Sequence, residues 1–278
     1  MSTDAVRSYY AGQPDREWRR LTRPGEGAIE FAVHTAALRR HLHTRLRVLD
    51  LGGGPGRITI WLAEQGHTVT LADLSPELLD VARARIREAG VERRVEAVLE
   101  ADARDLGRWD DATFDAVVCL GPFYHLPRAT DRERAAIELV RVLRPGGHAF
   151  VAFLSRYAYL RRSLLVPEER RHLLDDAFVH RLLEQGAFHN DVPGRFTHGY
   201  GARPEELEPF FAGHGLRRLE LLASEGIGVG LEAELDALVD TQPEVYRRFV
   251  DLVVATAADP GLHALGQHLL YVGRKDGA

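Results

Sequence analysis

Val48-Leu49-Asp50-Leu51-Gly52-Gly53-Gly54-Pro55-Gly56-Arg57 decides the fold: a short β-type run breaks into glycines and passes directly into a helical pattern. Glycines at such a junction let backbone amides approach a ligand closely and supply amide donors at a helix N-terminus. On either side, short apolar runs alternate with longer helical ones, the pattern that builds a parallel sheet covered on both faces. Arg47 to Leu51, Thr68 to Ala72, Val95 to Leu99, Phe114 to Leu120 and His148 to Leu154 read as buried strands, with Leu216 to Ala223 and Gln267 to Gly273 as two later ones.

The intervening helices carry their own boundary signals. Arg57 to Gln65 places Ile58, Trp61 and Leu62 on one face and stops at Gly66. Ser75-Pro76 is an N-cap followed by proline at the first helical position, opening a segment that runs to Gly90. Thr130-Asp131-Arg132-Glu133 has capping-box spacing and predicts a helix that buries Ile137, Val140 and Leu143 before Pro145-Gly146-Gly147 halts it. The expected fold is α/β: a doubly wound, seven-stranded, mostly parallel sheet with an antiparallel last strand, a helical N-terminal preface and helical insertions. Residues 1–45 form the preface or lid, and 46–154 with 202–278 form the sheet domain. Residues 155–201 are an insertion expected to roof a pocket, and 229–260 a second, helical insertion.

Composition limits the class. With 278 residues, 45% of them apolar and 28% charged, the chain reads as one elaborated globular domain. Thirty-six Lys and Arg against 41 Asp and Glu leave a net charge of −5, which argues against nucleic acid as a partner. The single cysteine, Cys119, forms no internal disulfide and suits a reducing compartment. Neither an apolar leader near Met1 nor a run long enough to span a bilayer is evident, so a cytoplasmic protein without membrane contact is expected.

The glycine loop itself discriminates among ligands. Counting from Gly52 and Gly54, the third glycine of a dinucleotide-binding G-x-G-x-x-G would fall on Arg57, and no Gly-Lys-Ser/Thr follows for a nucleoside triphosphate. Asp50 would repel a pyrophosphate and would favour a ligand carrying an ammonium and a sulfonium. Here the sequence resembles the class I methyltransferases, whose first motif, an acidic residue followed by spaced glycines, appears as Asp50-Leu51-Gly52-Gly53-Gly54-Pro55-Gly56. The resemblance continues in Asp73 at the end of the second strand, in Ala101-Asp102-Ala103-Arg104, in Cys119-Leu120-Gly121-Pro122-Phe123-Tyr124-His125-Leu126 and in Leu143-Arg144-Pro145-Gly146-Gly147. It implies S-adenosylmethionine as cofactor. Asp73 would then accept the ribose hydroxyls and Asp102 the adenine amine beside the amide of Ala103. Asp50, Gly52, Gly53, Gly54, Leu74, Leu120 and Gly121 would complete the site. Tyr9, Tyr10 and Arg19, in the preface, are candidates for a lid that meets the cofactor carboxylate.

Methyl transfer from a sulfonium is an in-line displacement that needs alignment and exclusion of water, and where the nucleophile carries a proton, a base. His125, after the fourth strand, and His198, in Phe196-Thr197-His198-Gly199-Tyr200-Gly201, are the candidate catalytic residues; His189, Asn190 and Tyr200 accompany His198 in the expected roof. Leu120-Gly121-Pro122-Phe123 lacks the acceptor used in base-nitrogen methylation, and no paired acidic ligands follow strands four or five, so no metal is expected. The pair His41 and His43 has no nearby Cys or carboxylate in sequence to complete a coordination set. The expected function is methylation of an O, N or C nucleophile of a small molecule, with the acceptor and the oligomeric state unread. RNA- or protein-modifying methyltransferases, and a non-methylating cofactor-binding member of the fold (a cyclase or a regulatory protein), stay open as alternatives.

Overall fold

The computed structural model describes residues 7, 10, 14–23, 26–192 and 198–277. Nine strands follow in chain order: β1 (Arg47–Leu51), β2 (Thr68–Asp73), β3 (Val95–Glu100), β4 (Phe114–Cys119), β5 (Leu143–Ser155), β6 (Ala187–His189), β7 (His198–Ala202), β8 (Leu216–Ala223) and β9 (His268–Lys275). Strands β3-β2-β1-β4-β5 pair in parallel; β9 then runs antiparallel to β5, and β8 antiparallel to β9. That is the expected seven-stranded sheet with its antiparallel last strand. The insertion adds a small hairpin of β6 and β7, whose second strand continues beside the end of β5 at Leu154 and Ser155.

Helices cover both faces: α1 (Pro14–Thr22), α2 (Glu26–His41), α3 (Arg57–Glu64), α4 (Pro76–Glu88), α5 (Ala129–Val142), α6 (Arg156–Leu165), α7 (Asp176–Gln185), α8 (Pro204–Ala212), α9 (Glu232–Thr241), α10 (Pro243–Thr256) and the short α11 (Pro260–His263). The two-residue period of the strands sorts their side chains between the faces. Val117 and Cys119, Ala149, Val151 and Phe153, and Leu269 and Tyr271 join one core with α5 and α8. Ala116, Val118, Phe150, Leu270 and Val272 join the other with α2, α3 and α10. Near-continuous apolar runs are the consequence of burial on both sides.

Several boundaries follow the local chemistry. Ser75 caps α4 by accepting from the Leu78 amide, with Pro76 at the first helical position. Gly66 takes φ +89°, the left-handed conformation that ends α3. At α5 the capping-box expectation fails: the helix already begins at Ala129 and its N-cap is Arg128. Thr130 therefore lies inside the first turn and not at the N-cap, while Asp131 beside it pairs with Arg128 and Arg104. The helical phase shifts accordingly, so Ile137 is 55% exposed while Ala135, Ala136, Leu139 and Val142 are buried. No helix among the described residues is long and apolar enough to cross a membrane.

Candidate active site

The chain order reverses between β1 and β4, and there the carboxyl ends of neighbouring strands diverge, the place where open α/β sheets bind ligands. A cavity opens at that point. Its floor is the β1–α3 turn. Gly52 adopts φ +72°, and a Cβ on it would lie 2.4 Å from Pro122 Cδ; at Gly53 a Cβ would meet Asp50 Oδ2 at 2.7 Å. The loop is thus pressed against the β4 turn on one side and over the Asp50 carboxylate on the other, and only glycine fits.

Asp50 is 2% exposed and accepts a hydrogen bond from Thr59 Oγ1 at 2.6 Å. Desolvation pushes its carboxyl up to about 7, which the Thr59 hydroxyl only partly offsets. Asp73, at the end of β2, is held differently: Oδ2 accepts from the Gly54 amide and Oδ1 from the Ser75 amide, both at 2.9 Å. Burial raises its carboxyl and those amides pull it back. Asp102 accepts from the Arg104 amide and guanidinium; although burial works against ionisation, Arg104 brings its carboxyl below the ordinary range. The cavity is lined by Asp50, Gly52, Gly53, Gly54, Asp73, Leu74, Asp102, Ala103, Leu120, Gly121 and Tyr10, all expected from sequence, and by His125 and His198.

His125 ends a 3₁₀ turn, Pro122–His125, that follows β4. Its Nε2 lies 3.0 Å from the Tyr10 hydroxyl, and the two rings meet edge to face. Burial, reinforced by the Arg20 guanidinium, lowers its pKa to about 3, so the ring is neutral across the physiological range. His198 reaches the cavity from β7, directly opposite His189, their ring centroids 4.2 Å apart. Burial and His189 both lower its pKa, and its buried Nδ1 has no hydrogen-bond partner among the described residues.

Other expectations are corrected. Arg19 is exposed and does not line the cavity; Arg20 does, with Glu17 one turn before it, and the two form a bidentate pair. On α1, residues 17 and 20 share a face that residue 19 does not. Tyr9 lies outside the described residues, as do Phe196 and Thr197. Tyr200 turns from the cavity: its hydroxyl donates to Glu206 and the Arg132 guanidinium lies 3.5 Å over its ring. Asn190 is buried inside the insertion, donating to Glu169. His189 is exposed and lies outside the cavity, and His41 does have a carboxylate partner, Glu220, supplied from β8.

Sequence reading also missed residues from the preface and from the start of α3. Arg7, Glu17, Arg20, Glu30, His34 and Arg57 line the same cavity. Burial alone would raise the Glu30 carboxyl, but His268, His34, Arg20 and Arg57 bring it well below the usual range. Arg57 stacks over Phe31 at 3.9 Å and donates to the Gly27 carbonyl, tying α2 to the glycine loop. The spacing Glu30-x-x-x-His34, placing two polar groups on one face of an apolar helix, was the available signal.

Comparison with known proteins agrees with this geometry. Residues 48–147 match the family model described as a methyltransferase domain. Methyltransferase GfsG of Streptomyces halstedii is 43% identical over 107 residues, 38% of this chain and 37% of that protein. A ubiquinone biosynthesis O-methyltransferase of Xanthomonas axonopodis pv. citri (strain 306) is 36% identical over 145 residues, 51% of this chain and 54% of that one. The alignments thus span about half, or less, of the length of these curated relatives. Among solved structures, the Burkholderia thailandensis 1,6-didemethyltoxoflavin-N1-methyltransferase, determined with its substrate and S-adenosylhomocysteine, superposes with a TM-score of 0.59 at 17% identity, covering 98% of this chain and 88% of that one. Residues 48–147 thus match a methyltransferase domain, and they lie within a Rossmann-like sheet whose fold is similar to that of solved S-adenosylmethionine-dependent methyltransferases.

Proposed function

We propose that the protein transfers a methyl group from S-adenosylmethionine to an O, N or C nucleophile of a small molecule. The observation that carries this reading is the convergence of Asp50, Asp73, Asp102 and the Gly52–Gly54 loop on one cavity at the β1/β4 reversal. Asp73 suits the ribose because two amides orient both its oxygens along the loop. Asp102 and the Ala103 amide suit the adenine edge. Asp50, beneath Gly53, suits the cationic end of the cofactor, with Arg20 in the place expected of Arg19 for its carboxylate.

Residues 1–45 are assigned as the lid and 155–201 as the roof of the acceptor pocket, a disposition supported by Tyr10, Arg20 and His198 on the cavity wall. His125, with its proton affinity suppressed, serves as a hydrogen-bond acceptor that orients the nucleophile, not as a residue that keeps its proton. When bound, S-adenosylmethionine would supply an electrophilic methyl group, the carbon–sulfur bond's electron pair passing to sulfur as the bond to the acceptor forms and any proton on the nucleophile being released to solvent. The named small-molecule relatives support an O or N acceptor, and the buried Cys119 is consistent with a cytoplasmic setting. The test is incubation with S-adenosylmethionine and a panel of small phenols, alcohols and amines, reading S-adenosylhomocysteine release by mass spectrometry. Release with at least one small acceptor is expected. Tight cofactor binding with no release across the panel would favour a non-methylating role, and release only with RNA or protein would overturn the substrate class.

A further inference from the structure

One stretch of the cavity wall carries a charge that the cofactor assignments leave unused. Glu30 and His34 sit one turn apart on α2, both line the cavity, and they are 9% and 2% exposed. Among the described residues no hydrogen bond reaches the Glu30 carboxylate; His34 Nδ1 stands 3.9 Å from its Oε1, beyond direct bonding. His34 is fixed from its other side, where Nε2 lies 2.8 Å from Ser224 Oγ. Burial would raise the Glu30 carboxyl, but His268, His34, Arg20 and Arg57 bring it down to about 2, and burial lowers the His34 pKa so that its ring is neutral near pH 7. An ionised, buried carboxylate without a donor is costly, so one that faces a cavity implies a donor that arrives with the ligand.

The geometry selects the donor. Beside an ionised carboxylate the neutral imidazole keeps its proton on Nδ1, which leaves Nε2 to accept from the Ser224 hydroxyl. The pair then offers one acceptor and one donor 3.9 Å apart. Two sides of about 2.8 Å over that base enclose about 90°, an angle at which one hydroxyl oxygen can donate to Glu30 and accept from His34. An ammonium has no lone pair for the His34 proton. It would also meet Arg20 and Arg57, whose charges balance those of Glu17 and Glu30 on the cavity wall. We propose that Glu30 and His34 form the subsite for a hydroxyl of a neutral acceptor, a group distinct from the atom that receives the methyl. A carboxylate with so little affinity for a proton holds that hydroxyl without deprotonating it, and the nucleophile is left to His125. Tyr124 joins the two groups: its ring lies 4.8 Å from that of His125 between centroids, and its hydroxyl, raised in pKa by burial, is raised further by Glu30. The proposal rests on the methyltransferase reading for the ligand's being an acceptor.

Protein saturated with S-adenosylhomocysteine would be titrated with phenol, catechol, fluorobenzene and benzylamine, binding being read by saturation-transfer NMR. The wild-type protein should bind phenol and catechol about 10- to 100-fold tighter than fluorobenzene, the range for a hydrogen bond to a charged group, and benzylamine no tighter than fluorobenzene. That comparison needs no variant. Glu30→Leu, a change of similar size on an apolar helix, should bring phenol and fluorobenzene to within about threefold of each other, and His34→Phe should reduce their ratio about threefold, as for a neutral hydrogen bond. A purely structural role would weaken both probes alike and leave the ratio unchanged. A ratio retained in either variant, tighter binding of benzylamine than of phenol, or no binding of either hydroxyl probe would overturn the proposal. If S-adenosylhomocysteine binds while the hydroxyl probes do not, the hydroxyl subsite falls and the cofactor reading stands; failure of S-adenosylhomocysteine itself to bind would remove the cofactor reading and this proposal with it.

Discussion

Cofactor affinity should depend on pH through Asp50, because that carboxylate is both 2% exposed and placed at the glycine loop. In the empty site burial pushes its pKa up to about 7, so near neutrality about half the molecules carry a neutral Asp50. A ligand whose cationic end binds beside it selects the ionised form. If only that form binds, affinity scales as the ionised fraction. Between pH 7.5 and 5.5 it falls about 25-fold, or about 1.9 kcal/mol, in the direction of weaker binding in acid. The converse holds for the free protein. A carboxyl whose pKa is raised on folding penalises the folded state as pH rises from about 4 through about 7, and the full penalty above that window is on the order of 4 kcal/mol. Asp50→Asn should therefore raise the melting temperature of the ligand-free protein at pH 8, converge with wild type near pH 4, and bind S-adenosylhomocysteine weakly with no slope between pH 5.5 and 7.5. Calorimetric titrations of both proteins across that range measure it. A flat wild-type profile, or a slope retained by Asp50→Asn, would refute the assignment of Asp50 to the cationic end of the cofactor.

Further outcomes follow from the same geometry. Asp73→Ala should weaken S-adenosylhomocysteine by about 1.5–3 kcal/mol, the range for hydrogen bonds to a charged group, measured by calorimetry on protein of unchanged circular dichroism. Since His125 stays neutral down to about pH 3, the kcat profile should show no inflection from it between pH 5 and 8, and His125→Ala should lower kcat while leaving cofactor affinity within about twofold. Arg156 is 1% exposed and donates to the carbonyls of Gly201 and Leu183 and to Glu206; Arg156→Ala should cost about 1–3 kcal/mol and lower the melting temperature, because those two carbonyls lose a donor and Glu206 keeps only the Tyr200 hydroxyl and the Arg203 amide.

What was legible in the sequence was local. The β1 to α3 junction, the Ser75 cap and the alternation of strands and helices are set by neighbours in the chain, so Asp50, Asp73 and Asp102 could be placed on one sheet edge before any coordinates. What escaped depends on contacts between distant segments. Glu30 and His34 look like polar interruptions of an apolar helix until β9 brings His268 beside them. Arg20 and not Arg19 faces the cavity because a docked helix has one phase, which a short charged stretch leaves undetermined. Tyr200 is turned from the cavity by Glu206 and Arg132, contacts between distant segments overriding a local pattern, and the Thr130–Glu133 box is lost because the helix starts earlier, at Ala129.

The central claim is that the cavity at the β1/β4 reversal holds S-adenosylmethionine for methyl transfer. A crystal structure of the protein with S-adenosylhomocysteine tests it most directly. Both ribose hydroxyls on Asp73, the adenine against Asp102 and Ala103, and the amino acid end over Gly52–Gly54 are predicted. Ligand density elsewhere, or a ribose turned away from Asp73, would contradict it.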